Sequence, residues 1–314
     1  MFDSLFRAFE GSVELGLLYV LMALGVYISF RILDFPDLTV DGSFTTGAAV
    51  SAVMLTQGWS PVMATFSGFL AGCAAGAITG ILHTKGKINN LLAGILMMIA
   101  LYSINLRIMG KPNIPLFSQE TVFSFFSSDY FLLIVPIVIF LIKLLLDAFL
   151  HTEIGLALRA TGDNPRMIRS FGVNTDGTII LGISLSNGLV AMSGALVAQY
   201  QGFADVQMGV GMIVIGLASV IIGEAIFGHR KVFQATLAVL MGAIIYRLVI
   251  ALALHFDMNS EDLKLITALI VIGALTIPKV QQSLLKRRKA MERSRMLSSM
   301  SAEADGQKGG HTHA

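Results

Sequence analysis

Residues 12–30 read "SVELGLLYVLMALGVYISF", nineteen positions that carry a single charge, Glu14. A helix needs about 20 apolar residues to cross the hydrocarbon core of a bilayer, so this stretch is long enough to span one. It is also too long for a removable signal peptide and lacks a small-residue cleavage site. The stretch reads as a retained first helix, preceded by a short N-terminal segment, 1–11, that includes Asp3, Arg7 and Glu10. The whole chain fits that reading. Over 314 residues the hydrophobic fraction is 55% and the charged fraction 13%, about half the charged share of an ordinary soluble domain.

Working outward, about nine apolar segments recur, at roughly 12–30, 42–57, 61–82, 89–108, 130–150, 177–199, 211–228, 232–254 and 264–280. The second and seventh are short and Gly-rich. After the last of them comes "KRRK" at 286–289 with Arg293 and Arg295, and basic residues flanking a span mark the cytoplasmic side. With the C-terminus inside, Arg31, Lys85, Lys87, Arg159, Arg166, Arg169, Arg230 and Lys231 all fall inside. Only Arg7, Arg107, Lys111 and Lys264 fall outside. The expected fold is therefore an all-α polytopic membrane protein with about 8–10 transmembrane helices. Residues 12–280 form its membrane domain. Residues 281–314 form a basic cytoplasmic tail without apolar periodicity, expected to be disordered; His311 and His313 within it make no metal site.

Two stretches resemble each other. "FPDLTVDGSFTTGAA" (35–49) and "FADVQMGVGMIVIGLA" (203–218) each hold Phe-x-Asp followed by two glycines five apart, Gly42 and Gly47 against Gly211 and Gly216. The first copy begins inside and the second outside, which makes an inverted repeat with short or broken helices and places a transport site near its pseudo-axis. The competing reading is a chance likeness between Gly/Ala-rich helices.

The longest polar interior stretch, 151–176, contains "DNPRMIRSFGV" (163–173). Asn164 can cap a helix, Pro165 suits its first position, and Gly172 can take the left-handed stop. The result is a helix of about seven residues that puts Met167, Ile168 and Phe171 on one face. So short a helix is not stable alone, and something must bury that face. It could fold back on the bundle or lie among lipid headgroups. The stretch holds Glu153, Asp163 and Asp176 against three arginines, however, and so little net positive charge fits a protein socket better than anionic lipid.

The stretch "TEIGLALRATGDNPRMIRSFGVNTDGTIILGISLSNGLVAMSGALVAQY" (152–200) resembles the cytoplasmic coupling loop and following helix of bacterial ATP-binding-cassette importer permeases of the branched-chain amino acid type. The matching positions are Gly155, Ala157, Arg159, Ala160, Gly172 and Val173, with Ile168 where the family has an alanine. "LGVYISFRILDFPDLTVDGSFTTGAAVSA" (24–52) is similar to the family's N-terminal signature but has "DFPDLTVDG" in place of Asn-Phe-Ala-His-Gly. This variant resembles a subgroup paired with binding proteins for tryptophan-like and other substrates. The resemblance implies a multi-pass protein of the bacterial inner membrane, moving a small solute such as an amino acid. It implies as partners a cytoplasmic ATPase dimer, a second permease subunit (here a second copy), a periplasmic substrate-binding protein and the membrane lipid. ATP would be bound by the ATPase, with no cofactor on this chain, and nucleic acid would not be a partner. The 164–172 helix would dock in a groove of the ATPase.

Candidate substrate-path residues are Asp37, Asp41, Gly42 and Asn187, with Asp205 and Gln207 in the second copy. Asp34, Asp37 and Asp41 precede a short segment, where carboxylates ordinarily cap free N–H groups. Beside an unwound backbone they could instead meet a substrate ammonium group, and both readings stay open. Asn187 reads as a link between helices. Glu224 is expected to pair with Arg230 or Lys231, and Lys143 with Asp147 four residues on. Arg247 must reach outward or find a partner.

The chain has no G-x-x-x-x-G-K, HExxH or GxSxG, its only cysteine is Cys73, and His83, His151, His229 and His255 all stand at segment ends. No catalytic or metal site is expected. The main competitor is a secondary transporter driven by an ion gradient, which would need an intramembrane carboxylate for coupling. Asp37 and Asp41 are the candidates for that role.

Overall fold

A computed structural model describes residues 2–125, 128–228, 231–255 and the single positions 265, 269, 272, 273 and 276. Arg230, most of the segment expected at 264–280 and the whole tail lie outside the described residues. The chain divides into two units, residues 1–268 and 269–314, and the helix bundle belongs to the first.

Helix α1 (Phe2–Val26) runs into a π-helical turn, Tyr27–Ile32. After it come α2 (Thr39–Thr56), α3 (Pro61–Thr84), α4 (Asn90–Met109), α5 (Ser128–His151), α6 (Glu153–Asp163), α7 (Pro165–Ser170), α8 (Thr175–Gln201), α9 (Met212–Phe227) and α10 (Val232–His255). Two three-residue strands, β1 (Asn113–Pro115) and β2 (Phe203–Asp205), pair antiparallel with Ile114 opposite Ala204.

Among the described residues, six helices are long and apolar enough to cross a membrane: Phe9–Ile32, Pro61–Thr84, Asn90–Met109, Leu132–His151, Thr175–Gln201 and Val232–Leu252. The two short segments of the sequence are helical but do not join that set. In α2 the buried face is rich in hydroxyls, Thr39, Ser43, Thr45, Thr46 and Ser51, because α2 is surrounded by α3, α4 and α8. A helix walled in by protein has no need to be apolar where lipid cannot reach it. Helix α9 has 16 residues, or about 24 Å, short of the core thickness.

Close backbone contact holds the centre together. A methyl group on Gly47 of α2 would lie 1.8 Å from the Ala191 carbonyl oxygen of α8, and one on Gly194 would lie 2.0 Å from that of Phe44. Small residues let these helices meet backbone to backbone, as the glycine-rich stretches suggest. Around them Leu18, Met22, Ile28, Phe44, Leu158 and Val190 make the fully buried core.

The connections gather at two opposite ends, as an alternating chain requires. The β1–β2 pair joins the α4–α5 connection to the α8–α9 connection. At the other end the Arg31 Nε lies 2.9 Å from Glu224 Oε1, and the Phe35 ring meets His83 edge-on at 5.1 Å. Glu224 thus pairs with Arg31, because α1 and α9 end side by side; the expected partner Arg230 lies outside the described residues. Lys143 and Asp147 form the expected i, i+4 ion pair at 2.5 Å. Asp147 also accepts from the Thr236 hydroxyl at 2.7 Å, and the Lys143 ammonium lies 3.2 Å from the Phe233 ring centroid. Arg247 finds an aromatic partner: its guanidinium sits 4.5 Å from the Tyr19 ring centroid.

Candidate functional site

The polar stretch between α5 and α8 folds as two helices, where the sequence reading has only one. Residues 153–163, expected as loop, form α6. The Thr152 hydroxyl accepts from the Gly155 N–H at 3.3 Å and Glu153 sits in the first turn, so a cap and a favourable charge start the helix. Gly155, Leu158 and Thr161 are its buried face. Gly162 meets the end of the π-helical turn, where a methyl group would lie 1.9 Å from the Ile32 carbonyl oxygen. Ala157 and Ala160 are half-buried and Arg159 is exposed. Arg159 lines a cavity of about 770 Å³ with Arg31, Asp34, Asp163, Glu224 and Lys231. The threonine–glutamate start at 152–153 was a readable signal for α6.

Helix α7 has the expected punctuation. Asn164 Oδ1 accepts from the Met167 N–H at 3.1 Å, Pro165 opens the helix, and Gly172 follows with φ +84°. Arg169 ties the helix to the start of α8 through Thr175 Oγ1 (2.6 Å) and Asp176 Oδ1 (3.3 Å). None of its residues is buried. Phe171, just past its end, is 74% exposed and Met167 45%, while Ile168 and Val173 are half-buried. The apolar face is therefore not folded onto the bundle among the described residues.

A second cluster lies inside the bundle, where α1 hands over to α2. Asp37 is fully buried. One carboxylate oxygen accepts from the Thr39 N–H at 2.9 Å and the other from Asn187 Nδ2 at 2.6 Å. Asn187 Oδ1 in turn accepts from the Ser43 hydroxyl at 2.7 Å, and the Thr39 and Thr79 hydroxyls share a bond of 2.9 Å. Asn187 thus links α8 to α2 and to the turn before it.

Asp41 and Gly42 face another way. The Asp41 carboxylate accepts from the N–H groups of Gly211 (2.9 Å) and Ile213 (2.8 Å), so a residue of α2 caps the N-terminus of α9. Thr45 Oγ1 accepts from the Gly209 N–H at 3.1 Å. The Gly42 carbonyl accepts from Asn105 Nδ2 of α4 at 3.2 Å. These groups border a cavity of about 460 Å³ walled by α2, α4 and residues 206–210. Asp205 and Gln207 stay at the strand end of the protein: one Asp205 oxygen accepts from the Gln207 N–H at 2.8 Å and the other from Asn113 Nδ2 at 3.4 Å. Thr45, Tyr102, Ser103 and Asn105 were not singled out in the sequence. Asn105 carried a signal, as an amide within an apolar run. Among the described residues no three His, Cys, Asp or Glu side chains cluster as metal ligands.

Comparison with known proteins places this architecture. Residues 9–277 match the family described as "Branched-chain amino acid transport system / permease component". The chain is similar to a tyrosine transport system permease protein of Clostridioides difficile, 50% identical over 271 residues that cover 86% of this chain and 91% of the relative. It is 35% identical over 275 residues to an uncharacterized protein of Rickettsia prowazekii, covering 85% and 96% of the two chains. An inward-facing ABC transporter structure assigned to the metal-chelate type matches with TM-score 0.49 and 18% identity, over 86% of this chain and 85% of the other.

Proposed function

The chain belongs to the branched-chain amino acid transport system / permease component family, and we propose that it moves an amino acid with an apolar or aromatic side chain, coupled to ATP through α7. It is the transmembrane permease component of an ABC-type importer for a small polar solute, and not an enzyme. The substrate proposal is supported by the tyrosine permease at 50% identity and by the "DFPDLTVDG" variant at 34–42.

The observation that carries the coupling role is the exposure of Phe171 and Met167 on a rigidly capped two-turn peg. An apolar face on so short a helix persists only with a partner surface. ATP can drive transport only through contacts that differ between inward- and outward-facing states. A peg fixed to α8 through Arg169, and preceded by α6 locked against the end of α1, can pass such a difference to the bundle. The assembly we propose has two ATPases, a second copy of this chain, and a periplasmic binding protein, with the C-terminus in the cytoplasm. The inverted repeat is part of the same proposal, supported by the meeting of the α2 and α9 N-termini at Asp41. The family match and the similarity to a tyrosine transport system permease favour ATP coupling over coupling to an ion gradient.

The test is ATP-driven uptake of L-tyrosine, L-phenylalanine and L-leucine by cells expressing the complete transporter with this chain wild type or Phe171→Asp. The expected result is uptake by the wild type, and its loss in the variant at equal membrane insertion. Equal uptake by both would remove the coupling role.

A further inference from the structure

Asn105 of α4 is fully buried, yet its Oδ1 has no hydrogen-bond partner. Its orientation is fixed by chemistry. The Nδ2 donates to the Gly42 carbonyl at 3.2 Å, and the flipped amide would set oxygen against oxygen. A buried acceptor left empty in a membrane bundle is costly, and such groups mark places where a donor arrives. Asn105 belongs to the wall of the 460 Å³ cavity between α2, α4 and residues 206–210.

The other lining groups favour the same kind of donor. Asp41, half-buried, brings a carboxylate that accepts backbone bonds from Gly211 and Ile213, with the Met212 N–H also beside it, and a carboxylate offers about four acceptor sites in all. Among the described residues no Lys, Arg or His lines the cavity. A substrate carboxylate would find no cation there, whereas an ammonium group would find a negative charge and an orphaned amide oxygen. Thr45 and Ser103 add hydroxyls to the lining, and Ile99, Tyr102, Val206 and Val210 give it an apolar and aromatic side. An aromatic face attracts a cation and stacks on another ring.

We infer that this cavity is a substrate station that takes the ammonium end of an apolar or aromatic amine, with Asn105 as the residue that selects for the amine. This rests on the reading of the chain as an amino acid permease and deepens it by assigning a site.

The test labels the cavity directly. The full permease–ATPase complex in nanodiscs carries Ser103→Cys as reporter, with the native thiol removed as Cys73→Ala. The rates of a cationic methanethiosulfonate ethylammonium reagent and an anionic ethylsulfonate reagent are each divided by their rate with a small free thiol. The expected result is a cationic preference of about tenfold, labelling slowed by tyramine and L-tyrosine but not by 3-(4-hydroxyphenyl)propionate, and a half-protecting tyramine concentration raised about tenfold by Asn105→Leu. The preference without tyramine should survive Asn105→Leu, which shows that the cavity still forms. Equal normalised rates, protection by the amine-free acid, or protection unchanged by Asn105→Leu would overturn the inference. Failure of the importer reading shows elsewhere, as absence of ATP-driven uptake by the wild-type complex.

Discussion

The Asp41 carboxylate of α2 accepts a hydrogen bond from the backbone N–H of Ile213, 2.8 Å away and 172 residues further along the chain. Its second oxygen takes the N–H of Gly211. Helix α9 therefore has no side-chain cap of its own and borrows one from the other half of the molecule. The segment that sequence reading pairs with α9 as a repeat is the one that supplies the cap.

Asp41→Ala should destabilise the solubilised chain. Loss of a cap costs about 1 kcal/mol, and an N–H left unpaired in a half-buried place adds about 1–3 kcal/mol. Asp41→Asn keeps an acceptor and should fall between the wild type and alanine. Thermal unfolding in detergent, followed by circular dichroism, gives the order of the three.

Gly162→Val should insert normally and transport poorly. The side chain would collide with the Ile32 carbonyl, 1.9 Å from the position of its first carbon, and push α6 off the end of α1. Membrane yield near that of the wild type with uptake lowered at least about tenfold is the expected pair of results. Wild-type uptake would show that the α6–α1 contact is not part of the coupling path.

The Lys143–Asp147 pair is buried, with side-chain exposures of 0% and 8%. Lys143→Met strands the Asp147 carboxylate and should lower stability by about 3–5 kcal/mol, whereas Lys143→Met with Asp147→Leu should recover most of that loss. Thermal melts of the two variants and the wild type make the comparison. The double variant being as unstable as the single one would show that Asp147 matters mainly through Thr236.

Much of this arrangement was legible in the sequence. The caps at Asn164 and Gly172 are local chemistry, and a short window of residues suffices to read them. The Lys143–Asp147 pair follows from helix spacing alone. The partners of Glu224 and Arg247 were not legible, because Arg31 and Tyr19 reach them across the fold. Helix α6 was missed because its buried face is made of Gly155, Leu158 and Thr161, too small and mixed to register as an apolar stripe. Asp37 and Asp41 could be named as polar groups near a broken helix, and Asn187 as an amide within a span. Which of them lies in the packed interior and which borders a cavity depends on contacts between residues more than 140 positions apart.

The central claim is that the exposed end of α7 rests on an ATPase subunit. A photo-crosslinking amino acid placed at Phe171 in the full transporter, irradiated in native membranes and resolved by mass spectrometry, reads this contact directly. The account predicts an adduct to the ATPase subunit, lost when that subunit is omitted. Adducts confined to lipid, or to this chain's own helices, would contradict it.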